Sequence, residues 1–247
     1  MRKRVNVNGK KNRTNSGGKN GNRIGSSVVS YVDLIEIDPI TKNQELAFDA
    51  WDNGYNLVLA GCAGTGKTFL GMYFALEDVL DPDTPYDQLI IVRSMVPTRD
   101  MGFLPGSKEE KEEAYTAPYL SICDQLFEDK AAYNKAITQR KVRFESTSFI
   151  RGTTWDNAII LVDEMQNLNF HELDSVITRV GEDTKIIFCG DYKQSDFKYN
   201  DEKEGVHKFL AIAEQLKKFR TITFDWEDIV RSDFVRDYLM TKEMLGY

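Results

Sequence analysis

The stretch Gly61-Cys62-Ala63-Gly64-Thr65-Gly66-Lys67-Thr68 constrains this chain more than any other. It fits the pattern G-x-x-x-x-G-K-[S/T], and its surroundings are those the pattern needs. Asn56 to Ala60 reads as a short buried strand, and Thr68 to Val79 as a helix. Glycines between a strand and a helix let the backbone curl with its N–H groups inward. The result is a nest for phosphate oxygens at a helix N-terminus. Lys67 is expected to reach the β- and γ-phosphates of a nucleotide, and the Thr68 hydroxyl to hold Mg²⁺. ATP and Mg²⁺ are therefore the expected cofactors.

Downstream, short apolar runs alternate with helical patterns. Strands are predicted at Leu89–Val92, Val142–Glu145, Ala158–Val162, Lys185–Cys189 and Thr221–Phe224, with a looser candidate at Tyr31–Ile37. Helices are predicted from Asp38-Pro39 through Trp51 to a stop at Gly54, and over Ser107–Phe127 with a break at Pro118. Three more are predicted over Phe170–Val180, Gly205–Lys218 and Ser232–Leu245. Strands of four or five apolar residues separated by helices indicate an α/β fold. The expected architecture is a RecA-like P-loop core, a mostly parallel sheet with helices on both faces, over residues 28–247.

The 247 residues suit one domain with appendages, and a hydrophobic content of 41% supplies a core. No apolar run approaches the roughly 20 residues of a membrane span, no secretory leader is read, and a cytoplasmic location is expected. Cys62, Cys123 and Cys189 are isolated, with no metal-site spacing, and are expected as reduced thiols. His171 and His207 lie in polar helical stretches and are expected at the surface. The acidic run Glu109 to Glu113, interrupted by Lys111, reads as a solvated helix face.

The net charge of −7 hides an asymmetry. Residues 1–27 carry eight basic residues and no acid, within a Gly-, Asn- and Ser-rich composition. Such a segment buries too little apolar surface to offset its ordering entropy, so it is predicted to be a disordered basic tail. A basic arm on an acidic body predicts contact with a polyanion such as nucleic acid.

Ile159-Ile160-Leu161-Val162-Asp163-Glu164 is a hydrophobic strand ending in two acids. Downstream of a P-loop, Asp163 is expected to hold Mg²⁺ through water and Glu164 to polarise the attacking water. Ile186 to Gln194 repeats the layout of strand, Gly and polar residues. Gln194 there can hydrogen-bond both the γ-phosphate and the attacking water. The amide of Gln44 offers a donor and an acceptor that match an adenine edge.

Six blocks in order, GCAGTGKT (61–68), GFLPGSKEEK (102–111), RGTTWDNAIILVDEMQN (151–167), TRVG (178–181), GDYKQSDF (190–197) and DIVRSDFV (228–235), closely resemble the PhoH-like proteins. These are single-core ATPases related to superfamily 1 helicases. The compact form resembles versions often carried by bacteriophages. The resemblance covers the chain from about Gln44 onward. It implies a nucleic-acid-facing loop at Arg93, where Ser94 replaces the family's usual proline. It also implies a role for Arg151 with Thr153 and Thr154, and coupling of nucleotide to a bound strand through Gln166 and Asn167. Arg179 and Arg231 are candidates for the cation that stabilises the transferring phosphoryl group, with Arg231 favoured, within its own subunit or across a boundary. The usual Ser-Gly-Leu near 204–206 is Glu204-Gly205-Val206 here.

The expected function is a Mg²⁺-dependent ATPase acting on single-stranded RNA or DNA, RNA favoured, with weak helicase activity as its furthest extension. The resemblance adds self-association as a homohexameric ring, because one core has nothing to move against. The competing expectation is an ATP-driven switch or protein remodeller with no nucleic-acid step. A nuclease is disfavoured, because no acidic cluster outside the nucleotide site has metal-site spacing.

Overall fold

The computed structural model describes residues 27–95, 108–147, 150, 152–191 and 200–245, and the side chains of these except 108–113, 200–204 and 243. Six strands form one sheet: β1 (Asn56–Gly61), β2 (Gln88–Arg93), β3 (Val142–Ser146), β4 (Ala158–Val162), β5 (Lys185–Gly190) and β6 (Phe219–Phe224). Their order is β3-β2-β4-β5-β1-β6, and every pairing is parallel. Register is set by residues such as Leu57 beside Ile187 and Ile91 beside Leu161. The RecA-like α/β class read from the sequence is the class observed.

Alternation along each strand divides the core into two layers. Leu57, Leu59, Leu89, Ile91, Ile159, Leu161 and Ile187 face one side. Helices α1 (Lys42–Asp52), α2 (Lys67–Leu80), α3 (Lys108–Phe127) and α4 (Ala132–Thr138) cover that side. Val58, Ala60, Ile90, Val92, Ile160, Val162 and Phe188 face the other, under α5 (Phe170–Ile177) and α6 (Asn200–Gln215). Sandwiched strands have no polar face, which is why β4 is a pure AIILV run.

Helix α1 starts at Thr41, whose hydroxyl accepts from the Gln44 amide at 3.3 Å, three residues beyond the expected Asp38. It buries Ala47, Phe48 and Trp51 on one stripe and ends at Asp52, two residues before Gly54, which has φ +79°. Phe74 of α2 stacks on Trp51 with centroids 5.7 Å apart and meets Phe48 edge-on at 4.8 Å. Each such side chain contributes about 1.5–3 kcal/mol relative to exposure.

Several local expectations differ from what forms. Tyr31–Ile37 is not a strand. Tyr31–Asp33 makes a 3-10 turn closed by a Ser30/Asp33 capping box, and beyond it the Ile35 amide bonds the Leu126 carbonyl. The break expected at Pro118 does not occur. Pro118 withholds one helical donor, but Tyr119, Cys123, Leu126 and Phe127 are buried on the same helix and hold it together. Helix α4 has no counterpart among the expected elements. It is one short element with no side-chain cap, fixed by burial of Ala132, Tyr133 and Ala136. Helix α5 stops at Ile177, not Val180, because Val180 forms a bridge with Trp155 and the Gly181 amide bonds the Trp155 carbonyl. Helix α6 begins at Asn200, and α7 (Asp233–Met244) closes the chain. Residues 1–26 of the expected basic tail lie outside the described residues, as do residues 102–107 of the second block.

Candidate active site

Six parallel strands put all their carboxyl ends on one edge, and the expected chemistry collects there. Gly61 ends β1, Arg93 ends β2, Asp163 and Glu164 follow β4, Gly190 ends β5 with Asp191 after it, and Asp225 follows β6.

The P-loop backbone needs its glycines. Gly61, Gly64 and Gly66 have φ of +122°, +79° and +82°. At Gly61 a side chain would also collide with the Phe224 carbonyl, which accepts from the Cys62 amide at 3.1 Å. The loop is thus stitched to β6. Gly66 precedes α2 in the left-handed conformation with no side-chain cap, so the first helical amides are not covered from their own N-terminus. Lys67 is buried. Its ammonium donates to the Gly61 carbonyl at 2.8 Å, the Cys62 carbonyl at 2.6 Å and Thr65 Oγ1 at 3.3 Å. Burial lowers its pKa, and Asp191 and Glu164 act in the opposite sense.

Asp163 is buried at 4% exposure, and both of its oxygens are engaged. The Thr68 hydroxyl donates to Oδ1 at 2.7 Å, and the Tyr119 hydroxyl to Oδ2 at 2.9 Å. Burial raises the Asp163 pKa and the Glu164 charge adds to it, opposed by Thr68, Arg93 and Tyr119. Arg93, at the end of β2, lies among the groups of the nucleotide edge. Its guanidinium lies 5.7 Å from the Tyr115 ring centroid, and its charge interacts with Tyr119, Asp163 and Glu164. Burial by itself would lower its pKa, but Tyr119 and the two acids raise it. The neighbouring Ser94 hydroxyl is buried with no hydrogen-bond partner among the described residues.

Glu164 adopts φ +52°, a left-handed conformation that is uncommon for a non-glycine residue and turns its side chain off the strand axis. Gln166 Nε2 donates to Glu164 Oε2, while Gln166 Oε1 accepts from the Asp191 amide at 3.0 Å. One amide therefore ties the acid after β4 to the backbone after β5. It fits because Gly190 has no side chain. A Cβ there would meet Gln166 Oε1 and lie 2.7 Å from Met165 Cγ.

The remaining expected residues divide. Arg231 lies over the P-loop of its own chain, with its Cγ 3.1 Å from where a Cβ on Gly64 would stand. The Val230 amide bonds the Gly64 carbonyl at 3.1 Å. Arg179 is elsewhere. Its carbonyl accepts from the Trp155 amide beside the amino end of β4, opposite the P-loop edge. Gln44 is buried on α1, next to Asn43, whose amide donates to Asp228 at 2.7 Å. Its own oxygen accepts from the Ile40 amide at 2.9 Å, so the acceptor half of the expected adenine contact is used by its own backbone. Thr153 donates to the Ile150 carbonyl at 3.1 Å, and Thr154 is exposed. Gln194 and Arg151 lie outside the described residues. His171 and His207 are exposed, and no disulfide joins Cys62, Cys123 and Cys189.

The donor set suits Mg²⁺ delivered with a nucleotide. Mg²⁺ takes one or two carboxylates, keeps several waters and binds substrate phosphates. Thr68 and Asp163 supply one hydroxyl and one carboxylate at hydrogen-bond distance from each other. Among the described residues no group of three or more His, Cys, Asp or Glu is arranged to hold a metal. Tyr119 carries no sequence signal, because a tyrosine in a mixed helix 44 residues before Asp163 has no spacing rule.

A family model described as PhoH-like protein matches residues 36–242. Protein PhoH2 of Bacillus subtilis is 38% identical over 59% of this chain and 34% of its own length. A PhoH-like protein of Synechocystis is 31% identical over 71% of this chain and 53% of its own. Protein PhoH of Escherichia coli is 31% identical over 70% and 48%. The chain thus matches between a third and about half of the length of these relatives. Among solved structures, the large terminase of a thermophilic bacteriophage aligns over 81% of this chain and 50% of its own, with TM-score 0.46 and 12% identity. The Hef helicase domain of Pyrococcus furiosus aligns over 75% and 38%, with TM-score 0.44 and 12% identity.

Proposed function

The chain belongs to the PhoH-like protein family, and from that premise we propose that it is a Mg²⁺-dependent ATPase acting on single-stranded nucleic acid, RNA favoured. The observation that carries the nucleotide half is the 2.7 Å contact from Thr68 to Asp163 beneath a glycine-shaped loop. When bound, Mg²⁺ supplies positive charge for the β- and γ-phosphate oxygens. The loop amides and Lys67 bind phosphate, and Thr68 with Asp163 orients the metal's water shell. Glu164, held by Gln166, accepts a proton from the attacking water. Gln194 is proposed to sense the γ-phosphate from the loop after β5.

Glu164→Gln tests this. ATP binding is expected to persist while turnover falls by about 10²-fold or more, the scale for losing a positioned base. Wild-type turnover in that variant would remove Glu164 from the role.

The nucleic-acid half rests on the eight cations within residues 1–27 and on the family. Single-stranded RNA is expected to raise the ATPase rate, and binding to weaken with salt at a slope near roughly −0.7 per phosphate contact. Deleting residues 1–27 should flatten that slope and spare basal ATPase. An ATP-driven switch is the second reading, and an ATPase rate indifferent to every single strand would favour it.

Assembly is proposed as a homohexamer. Helix α7, beside the P-loop, presents Phe234, Tyr238 and Met244, with Leu245 just after it, at exposures of 61% or more, an apolar face suited to a second copy. Light scattering with Mg²⁺ and an ATP analogue should give a mass near six subunits. A monomer with full RNA-stimulated activity would exclude the ring.

A further inference from the structure

Asp163 has two oxygens, and only one faces Thr68. The other is taken by Tyr119, a fully buried residue of α3. The Tyr119 hydroxyl has one proton, which goes to Asp163, and the positive charge of Arg93 acts on both groups. Arg93 ends β2, the strand that pairs with β4, and the Asp163 amide bonds the Val92 carbonyl at 2.9 Å. Three elements therefore converge on one carboxylate: β4 leads into it, β2 brings a cation and α3 brings a hydroxyl.

A carboxylate held at one oxygen can rotate about its terminal torsion, which has broad wells. Held at both, it presents Oδ1 to the Thr68 side in one orientation. Outer hydrogen bonds of this kind fix metal-side groups, and losing one typically costs about 10- to 100-fold in metal affinity or activity. Tyr119 also carries the orientation outward, because the same residue is part of the hydrophobic layer that docks α3, with Phe144 at 6.2 Å and Cys123 and Leu126 on its helix.

We propose that Tyr119, backed by Arg93, is the positioning residue for Asp163, and that it couples binding of the Mg²⁺–nucleotide complex to the docking of α3. This rests on the ATPase reading above. The chemistry recognised is that of a hydrated divalent cation bridging to phosphate, and the coupling runs both ways. If a docked α3 favours that complex, the complex favours a docked α3.

The test is Tyr119→Phe, which removes one oxygen and keeps the ring, in the full chain. Binding of a fluorescent ATP analogue is titrated with Mg²⁺ and repeated in EDTA. The Mg²⁺ concentration for half-maximal tightening is expected to rise about 10-fold, with metal-free binding unchanged. kcat should fall by a similar factor while KM holds. In hydrogen exchange, Mg²⁺ and analogue should protect α3 amides in the wild type and not in the variant. Arg93→Gln should shift the Mg²⁺ requirement in the same direction and Arg93→Lys less, which keeps the test open should Tyr119→Phe fold poorly. An unchanged Mg²⁺ requirement in Tyr119→Phe and in Arg93→Gln would overturn the proposal and leave Tyr119 a satisfied core hydroxyl. Failure of the wild type to bind the analogue would instead overturn the ATPase reading.

Discussion

Arg231 lies across Gly64 of its own chain, its Cγ 3.1 Å from the point a Cβ on that glycine would occupy. A basic side chain near the end of the chain thereby reaches the P-loop without a neighbouring subunit. The path is built by β6, whose Phe224 carbonyl holds Cys62, and by Val230, whose amide holds the Gly64 carbonyl.

Arg231→Ala is expected to lower turnover by roughly 10³-fold if the guanidinium stabilises the transferring phosphoryl group, with nucleotide affinity changed far less. The placement predicts action in cis. Mixing Arg231→Ala chains with Glu164→Gln chains should then restore no activity. Recovery in the mixture would show that an intact arginine from one chain serves the intact glutamate of another.

Gly190→Ala tests the Gln166 clamp. The added methyl would stand 2.7 Å from Met165 Cγ and against Gln166 Oε1, where backbone and side chain must shift. Overpacking of this kind costs about 1–3 kcal/mol. Thermal unfolding should register that loss. Turnover should fall along with stability, because the displaced amide no longer holds Glu164.

The cysteines should react unequally. Burial pushes the Cys123 thiol up to about 12 and the Cys189 thiol well above its usual value, so both stay protonated and shielded. Cys62 is partly exposed in the P-loop. Maleimide should therefore modify Cys62 first in the native protein, with the other two following only on unfolding. Mg²⁺ and ATP should slow that modification. Equal labelling of Cys123 under native conditions would contradict the packing of α3.

Lys185 gives a pH signature. Its ammonium lies 3.0 Å from the Trp51 ring centroid and 3.9 Å from Asp78. Burial lowers its pKa to about 8 against the pull of Asp78 and Asp52. Below about 8 both folded and unfolded chains carry the charge, and the folded state bears the full penalty. Between about 8 and 10.5 only the unfolded chain keeps its proton, so this group's contribution to stability rises with pH. Relative to Lys185→Met, the wild type should gain up to about 3 kcal/mol across that window in denaturant titrations. Referencing to the variant cancels other groups, such as Tyr86, whose hydroxyl burial pushes up to about 12. A flat difference would show that Lys185 stays charged.

Residue order alone specifies the class of fold and the two poles of the site. Apolar runs such as AIILV call for burial on both faces, and a glycine-rich turn of this spacing between strand and helix suits an anion. Both signals are local, so they are legible along the chain. What those poles touch depends on packing across the chain. Pro118 reads as a helix break, yet the burial of Tyr119 and its neighbours carries α3 through it. Arg93 reads as facing nucleic acid, and its place beside Tyr119 and the acids comes only from the pairing of β2 with β4. Gln44 reads as free to meet a base, yet its oxygen caps a nearby backbone amide. The chain cannot announce such contacts, because strands far apart in sequence become neighbours only when the sheet is ordered β3-β2-β4-β5-β1-β6. Which hydroxyl holds Asp163, and which glycine admits Gln166, follow from that order and from close packing, not from spacing.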